Sequence, residues 1–330
     1  MTIAGQHLTA ATTAATPRRR GGPKGLAPRL AELAAGDLRR RVRGRVRVWE
    51  PMARHTTFRI GGPADVFFEP LDTAELVEAI SFAREKGLPA KVIGNGSNLL
   101  VGDRGIRGLV IRLAPSFSEV RWLAGGAVAG AGARLARLVE EAADAGLSGL
   151  ESTVGIPGTL GGALATNAGT DTGSIGDLVV GTTVLDEQGQ VREWSASQLA
   201  YRYRHSSLNG TRLVVVSAEL SLHPAPQEDI RAKMQRLRQK RASRQPLRAW
   251  SAGSVFKNPP GVAAGKVLDR AGAKGLRVGD AQVSRKHANF FINLGEATAA
   301  EMKELIEQAH ALALRRYDID LELEIEVVGE

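Results

Sequence analysis

The chain has 330 residues, of which 43% are hydrophobic, and a formal net charge of +9. This length predicts two or three domains rather than a single core, and the composition is that of a globular protein. The absence of cysteine excludes disulfides, thiolate chemistry and cysteine-ligated metals. No run approaches the roughly 20 consecutive apolar residues of a membrane helix, and the N-terminus shows no secretion signal.

The positive charge lies near the N-terminus. Residues 1–48 contain 11 Arg and Lys against two acidic residues, whereas the rest of the chain carries 33 basic and 33 acidic groups. A nucleic-acid-binding function would therefore depend on this segment alone. We predict that residues 1–25, rich in Ala, Thr, Gly and Pro, form a disordered leader. A helix is predicted over residues 26–42, with Leu30, Leu33 and Leu38 as its apolar members, and residues 43–48 could begin a strand.

A β-α-β-loop-β unit is predicted next. It comprises a strand at residues 66–68, a helix that Asp72 caps and that runs to about Lys86, and strands at 90–93 and 109–113. A second region begins near residue 116. Its predicted elements are a helix at 135–145, strands at 179–185 and 191–194 joined by a hairpin turn, and a strand at 213–222.

A third region follows Pro224 and Pro226, which mark a boundary. It begins with a basic helix at about residues 228–244. The other predicted elements are a short helix at 265–271, an extended segment at 287–293, a long helix at 298–317 and a strand at 321–328. Thr298 and Glu301 have the spacing of a capping box.

Two glycine-rich segments are candidate ligand-binding loops. The first, Gly94-Asn95-Gly96-Ser97-Asn98, follows a predicted strand, and its amide groups could hold a pyrophosphate without a lysine. An ordinary tight turn is an equal alternative, and the segment is neither a Rossmann fingerprint nor a P-loop. The second, from Gly155 to Gly169, offers a backbone-lined surface to a flat ligand. Because so many glycines cost conformational entropy on folding, we favour a ligand contact there.

These segments, with residues 56–64 (TTFRIGGPA), resemble the FAD-binding half of the UDP-N-acetylenolpyruvoylglucosamine reductase family. The similarity covers about residues 50–330 in order, and it resumes at residues 203–206 (YRHS), 252–259 (AGSVFKNP), 264–272, 282–284, 287–290 (HANF) and 321–324 (LELE). The resemblance implies an α+β protein with a two-subdomain FAD-binding fold of the vanillyl-alcohol-oxidase (PCMH) type, followed by a smaller α/β substrate-binding domain. The division that we expect is a leader at 1–48, FAD-binding subdomains at 49–115 and 116–224, and a substrate domain at 225–330.

The resemblance also implies a reaction, in which NADPH and bound FAD reduce UDP-N-acetylglucosamine enolpyruvate to UDP-N-acetylmuramate for peptidoglycan synthesis. Three residues match catalytic positions of the family. Arg204 would meet developing negative charge, because a guanidinium is always charged and grips carboxylates. Ser254 would donate the proton, and Glu324 would help to deliver it. Strand alternation leaves Glu322, Glu324 and Glu326 equivalent, and only the family alignment selects Glu324.

The same resemblance implies the binding residues and partners. The expected FAD contacts are Arg59, Gly61, Gly94, Asn95, Gly96, Ser97, Asn98, Gly155, Ile156, Pro157, Gly158, Thr159, Gly161, Gly162, Asn167, Ala168 and Gly169. The expected substrate contacts are Tyr203, Lys257, Lys266 and Asn289. No metal site is expected, since His287 has no clustered partners. We expect a cytoplasmic monomer that binds a UDP-sugar and NADPH, and neither nucleic acid nor a membrane.

Two features of the resemblance define its limits. Glu326 stands where many relatives are expected to carry a basic residue, and the basic leader is longer than the family core needs. Few residues separate Ser206 from the strand predicted at Leu213, which indicates the subclass without a substrate-clamping insertion.

Three alternatives remain open. Another flavoprotein of the same fold, acting on a sugar, should lack the set formed by Tyr203, Arg204, Ser254 and Glu324. A nucleic-acid-binding protein would show salt-dependent binding that is lost with residues 1–48. A UDP-sugar binder that has lost its flavin would be colourless.

Overall fold

The first part of the fold is a mixed four-stranded sheet with helices packed against it. The computed structural model describes residues 28–113 and 115–330, so the predicted disorder of residues 1–25 lies outside the described residues. The elements of this part are α1 (Pro28–Arg39), β1 (Arg45–Pro51), β2 (Pro63–Glu69), α2 (Thr73–Glu85), β3 (Ala90–Ile93), β4 (Leu99–Val101) and β5 (Ile106–Arg112).

The strand order of this sheet is β1-β2-β5-β3, with β1 antiparallel to β2, and β5 parallel to both β2 and β3. The predicted β-α-β-loop-β unit is confirmed, and the Asp72 side chain caps α2 by accepting from the backbone N–H of Glu75. The loop Gly94–Asn98 follows the carboxyl end of β3. Ligands of open parallel sheets bind outside the carboxyl ends of their strands.

Helix α1 is confirmed, but its predicted apolar side is only partly right. Leu38 is fully buried, whereas Leu30 and Leu33 are 52% and 56% exposed. The buried side is formed instead by Ala31, Ala35 and Leu38, at helical spacing. The prediction considered only the leucines of this helix, and it missed the buried face because alanines supply most of that face.

The boundary predicted at residue 48 passes through a strand. β1 pairs with β2 over six residue pairs, from Arg45 opposite Glu69 to Pro51 opposite Pro63. The buried carboxylate of Glu75 accepts from the backbone N–H groups of Arg43 and Gly44, which ties the α1–β1 connection to α2. Helix α1 and strand β1 are therefore joined to the first sheet by direct contacts. The domain divisions stay predictions.

Substitutions in α1 test this packing. We expect Leu38→Ala to lower the free energy of unfolding by about 2–5 kcal/mol, because it opens a cavity at a fully buried side chain. Leu33→Ala, on the exposed side of the same helix, should change it by less than about 0.5 kcal/mol. Denaturant unfolding followed by circular dichroism measures both. Equal effects would show that α1 does not pack as described.

The second part of the fold is built on an antiparallel sheet of order β12-β11-β13-β7-β6. Its elements are β6 (Val120–Leu123), β7 (Gly126–Gly130), α3 (Leu135–Asp144), β8 (Leu147–Ser148), α4 (Leu160–Thr166), β9 (Gly169–Thr170), β10 (Gly173–Ser174), β11 (Val179–Leu185), β12 (Val191–Ser195), α5 (Ala196–Leu199), β13 (Val214–Ser221) and β14 (His223–Pro224). The predicted helix and strands are confirmed, while β6, β7 and α4 were not predicted.

Helix α4 lies inside the glycine-rich stretch, which hid it, because glycine is a poor helix former. Thr159 is its N-cap and accepts from the N–H of Gly162. Gly161 packs against Ala131, the residue that follows β7. A Cβ added at Gly161 would lie 2.9 Å from the Cβ of Ala131. The glycine there permits a close approach of α4 to the second sheet.

The third part contains a long basic helix and a small α/β unit. Its elements are α6 (Gln227–Arg244), α7 (Ala264–Arg270), β15 (Arg277–Val278), β16 (Ala281–Val283), β17 (Phe291–Asn293), α8 (Ala299–Tyr317) and β18 (Glu326–Val328). Short 3-10 turns occur at Met52–His55, Pro115–Phe117, Leu150–Thr153 and Ile175–Leu178. The capping box of α8 is confirmed, since Thr298 and Glu301 exchange side-chain to backbone hydrogen bonds.

Two extended segments were predicted too long. Regular strand is confined to β17 and to β18, and β18 pairs in parallel with β4 of the first part. Residues 321–325, directly before β18, are irregular, and Leu323 is 37% exposed. The predicted alternation of buried leucines and exposed glutamates is therefore wrong in this segment. Single backbone bonds hold this segment instead: the N–H of Glu324 donates to the carbonyl of Val255, and the N–H of Lys257 to that of Glu322.

Side chains also join the third part to the first. The Asn293 amide donates to the carbonyl of Phe58 at 3.0 Å. The Asp103 carboxylate accepts from the N–H groups of Ala299 and Ala300 at 2.7 and 2.9 Å, at the N-terminus of α8. These contacts hold the third part against the first, next to the glycine loop. Among the described helices, none is long and apolar enough to cross a membrane.

Candidate active site

A cavity of about 820 Å³ opens where the three parts of the fold meet. Its walls include the loop Gly94–Asn98, residues 156–159 and α4, the C-terminal half of α6, and the segments around Ser254 and Glu324. Sixteen of the predicted site residues line it: Gly94, Asn95, Gly96, Ser97, Asn98, Ile156, Pro157, Gly158, Thr159, Gly162, Ala168, Gly169, Arg204, Ser254, Lys257 and Glu324.

The two glycine-rich loops face each other at contact distance. The Ser97 hydroxyl donates to the carbonyl of Pro157 at 3.0 Å. A Cβ at Gly94 would lie 2.3 Å from the Thr159 hydroxyl oxygen, and one at Gly158 would lie 2.9 Å from that of Ser97. Gly96 has φ +59° and lies directly against the carbonyl of His55. A side chain at any of these positions would require a shift of its neighbours or a strained backbone, and the resulting backbone cradle suits the diphosphate of FAD.

Arg204 is held at the tip of a tight turn. Backbone bonds between Arg202 and His205 close the turn in both directions, and Arg204 adopts φ +50°, which is unusual for a residue with a Cβ. Its Nη2 donates to the carbonyl of Gly169 at 2.8 Å, and its Nε donates to Oε1 of Glu324 at 2.5 Å. The guanidinium is therefore oriented toward the cavity before any ligand binds.

Three glutamates follow one another at alternate positions, and each has its own basic partner. Glu322 pairs with Lys257, Glu324 with Arg204 and Glu326 with Lys91. Their side chains are 73%, 19% and 52% exposed, so Glu324 alone is enclosed. Burial raises the pKa of Glu324, and the Arg204 charge and hydrogen bond oppose that rise. Geometry thus singles out Glu324, which alternation could not do.

Ser254 lies on the cavity wall directly after Gly253, whose φ is +78°. It forms an isolated β-bridge with Phe290. The next residue, Val255, donates to the carbonyl of Asn289 and accepts from the N–H of Glu324. The chain therefore ties the Ser254 turn directly to the Glu324 segment.

Asn289, a predicted substrate contact, is buried behind the Ser254 turn. It is 2% exposed, and its amide oxygen and nitrogen bond the N–H and carbonyl of Phe256 at 2.9 and 2.8 Å. With both ends of the amide in use, Asn289 supports the Ser254 turn from behind and does not reach the cavity.

Other predicted contacts also lie away from the cavity wall. Arg59 is exposed and stacks over Trp250 at 4.2 Å, Gly61 packs against Val101, and Lys266 is exposed on α7. These three residues do not line the cavity, and their roles as FAD or substrate contacts stay predictions.

The remaining predicted residues support the cavity from behind. Asn167 ends α4, Gly161 packs within it, and Gly155 approaches Arg241. Tyr203 lines a smaller neighbouring pocket, where its hydroxyl accepts from the N–H of Asn258. Within the described ranges, no group of three or more histidine or carboxylate side chains could hold a metal ion.

Sequence reasoning missed four residues of the α6 end that line the cavity: Lys240, Arg241, Arg244 and Gln245. The Nε of Arg241 and the Oε1 of Gln245 are buried without a hydrogen-bond partner among the described residues. Burial lowers the pKa of the Arg241 guanidinium. The sequence does place basic side chains three and four residues apart near the end of this helix. That spacing puts them on one side of the helix and could have indicated a shared role.

Two family models match the chain and define its class. Residues 64–195 match an FAD-binding domain, and residues 245–328 match the C-terminal domain of UDP-N-acetylenolpyruvoylglucosamine reductase. Together with the glycine cradle, the first match makes the chain an FAD-binding flavoprotein of α+β fold. The second match and the relatives that follow are more specific: the chain belongs to the UDP-N-acetylenolpyruvoylglucosamine reductase family.

Relatives with that name are similar over nearly their whole length. The protein from Moorella thermoacetica is 48% identical over 90% of this chain and 97% of its own. The protein from Agathobacter rectalis is 45% identical over 85% and 93%. The crystal structure of the enzyme from Thermus caldophilus superposes with a TM-score of 0.76 at 39% identity, covering 87% of this chain and 99% of that one. The predicted family and fold class are confirmed.

Proposed function

We propose that this protein uses NADPH and bound FAD to reduce UDP-N-acetylglucosamine enolpyruvate to UDP-N-acetylmuramate, a step of peptidoglycan precursor synthesis. The observation that carries the proposal is the convergence of Arg204, Ser254 and Glu324 on one cavity with both glycine-rich loops. An FAD cradle alone would suit many flavoproteins. The added cation, hydroxyl and enclosed acid suit a reaction that places hydride and a proton on a carbon–carbon double bond next to a carboxylate.

The residues that would hold FAD are those of the cradle, Gly94–Ser97 and residues 156–159, with α4 behind them. Backbone N–H groups of such loops bind phosphate oxygens, and their glycines admit the backbone to the ligand. When bound there, FAD supplies the two-electron chemistry that links NADPH to the terminal alkene carbon of the substrate.

Arg204 would stabilise the negative charge that develops toward the substrate carboxylate as hydride arrives. A guanidinium keeps its charge at any physiological pH and bonds carboxylates through two N–H groups. Its existing bonds to Gly169 and Glu324 reduce the reorganisation needed at the moment of reaction. Mutation of one such donor typically costs about 10²–10³ in rate.

Ser254 would deliver the proton to the carbon next to the carboxylate, and Glu324 would supply the proton to this end of the cavity. An isolated hydroxyl is a weak acid, so a nearby carboxylic acid that retains its proton is a useful source. The raised pKa of Glu324 supports this role. Lys257, also on the wall, can bind a phosphate or carboxylate of the substrate.

We extend the proposal to the setting of the enzyme. The enzyme would act as a monomer. Its small-molecule partners would be NADPH and the UDP-sugar, and we propose the cytoplasm as the compartment and no part for nucleic acid. Through its product, the enzyme would contribute to cell shape and division.

Steady-state turnover tests this function. NADPH absorbance should fall when UDP-N-acetylglucosamine enolpyruvate is added to the FAD-loaded enzyme. Mass spectrometry should show a product heavier than the substrate by one hydride and one proton. NADPH oxidation that is indifferent to this substrate, or a product of unchanged mass, would contradict the proposal.

Arg241 is expected to contribute to FAD binding, because its buried Nε lies beside Gly155, where a Cβ would come within 3.3 Å of it. A phosphate oxygen of FAD would give the guanidinium a hydrogen-bond acceptor, and its Nε has none among the described residues. Arg241→Met should weaken FAD binding by about 10- to 100-fold, the range for one hydrogen bond to a charged group. Fluorescence titration of apoprotein with FAD measures this.

The matched control is Arg236→Met, the same substitution on the exposed side of α6. It should change FAD affinity by less than about twofold, in keeping with a surface position. Equal losses in both variants would show that the net charge of the helix matters, rather than a contact of Arg241.

A further inference from the structure

Asn98, the last residue of the first glycine loop, bonds the main chain on both sides of Ile325. Its side-chain Nδ2 donates to the carbonyl of Glu324 at 3.0 Å. Its own carbonyl accepts from the N–H of Glu326 at 2.9 Å. The loop that forms one wall of the FAD cradle is therefore bonded directly to the segment that carries the enclosed carboxylate.

The Glu324 segment depends on such single contacts because it has no ladder of its own. Residues 321–325 are irregular, and the regular pairing of β18 with β4 begins only at Glu326 opposite Leu99. On the other side, the N–H of Glu324 donates to the carbonyl of Val255 at 2.8 Å. The peptide groups of Glu324 thus lie between the Ser254 turn and Asn98.

The structure assigns Asn98 as a positioning residue for Glu324 rather than as a contact of the cofactor. This assignment rests on the proposed function. The amide of Asn98 holds the carbonyl of Glu324, and the Glu324 carboxylate reaches Arg204 at 2.5 Å from that position. Without the amide, the main chain at Glu324 loses one of its two lateral supports, and the carboxylate moves relative to Ser254. Small displacements of reacting groups, of the order of 1 Å, cost up to about 100-fold in rate.

The experiment compares four FAD-saturated holoenzymes: wild type, Asn98→Ala, Glu324→Gln and the double variant. Anaerobic stopped-flow spectroscopy follows flavin reduction by NADPH and flavin reoxidation by UDP-N-acetylglucosamine enolpyruvate, and titration gives FAD affinity. We expect Asn98→Ala to retain FAD affinity and the reduction rate within about threefold, and to slow reoxidation by about 10- to 100-fold. In the Glu324→Gln background the same substitution should slow reoxidation no further, since it acts through the carboxylate.

Two results would overturn the assignment. A loss of FAD affinity above about tenfold in Asn98→Ala, with reoxidation unchanged at saturating FAD, would make Asn98 a cofactor contact. Equal slowing by Asn98→Ala in both backgrounds would show that it acts independently of Glu324. Failure of the wild type to be reoxidised by this substrate is a separate result, because it overturns the proposed function and this assignment with it.

Discussion

Replacing Ser254 by alanine should leave flavin reduction by NADPH at the wild-type rate and slow reoxidation by the enolpyruvyl substrate by about 10²–10⁴-fold, the usual contribution of a general acid. Hydride transfer from NADPH needs no proton from this serine, whereas completing the substrate reduction does. The substitution removes one half-buried hydroxyl on the cavity wall and leaves the backbone bonds of Val255 in place. Stopped-flow spectroscopy of the two half-reactions separates these effects.

Ser251→Ala is the control for that experiment. It removes a hydroxyl three residues earlier in the same segment, at a position that does not line the cavity. Both half-reactions should remain within about twofold of wild type. If Ser254→Ala slows both half-reactions equally, the serine supports the structure of the site and does not donate the proton.

Glu324→Gln should likewise slow reoxidation by about 10²–10⁴-fold while leaving reduction by NADPH intact. Glutamine keeps the shape of the side chain but cannot supply a proton. The matched control is Glu322→Gln, two residues earlier, whose carboxylate is 73% exposed and paired with Lys257. That variant should change reoxidation by no more than a few fold, and equal losses would show that the charge of the segment matters rather than Glu324.

The pH dependence of reoxidation gives a second signature of Glu324. Burial raises the pKa of this carboxyl group, so it keeps its proton to higher pH than an exposed glutamate does. The reoxidation rate should then fall as the pH rises through this raised pKa. In Glu324→Gln this decrease of the rate with pH should be absent. In Arg204→Gln the decrease should occur at still higher pH, because the Arg204 charge lowers the pKa of Glu324.

Most regular elements could be predicted because their signals are local. Helix α8 has a capping box and a long periodic pattern, and α2 has Asp72 at its start. The glycine loop after β3 was recognisable for the same reason, since the residues that favour a turn are adjacent in the sequence. Helix α4 was missed because its glycines oppose helix formation locally, whereas in the fold its Gly161 packs closely against Ala131.

The site was predictable only in part, for a related reason. Family similarity selected Glu324 as a candidate, and only the fold shows that it alone of the three glutamates is enclosed. Arg59 and Asn289 lie in strongly matching segments yet do not line the cavity. Arg241 reaches the cavity from a helix whose sequence is typical of a solvated basic surface. In the fold, its Nε is buried and lies beside Gly155 of the second glycine loop.

The most direct test of the account is an anaerobic flavin spectrum of the purified protein, recorded after NADPH and again after UDP-N-acetylglucosamine enolpyruvate. We predict that NADPH bleaches the flavin absorbance and that the enolpyruvyl substrate restores the oxidised spectrum. Bleaching without recovery would support a flavoenzyme reduced by NADPH but would show that this compound is not its substrate. A protein that binds no flavin when supplied with FAD would contradict the account at its centre.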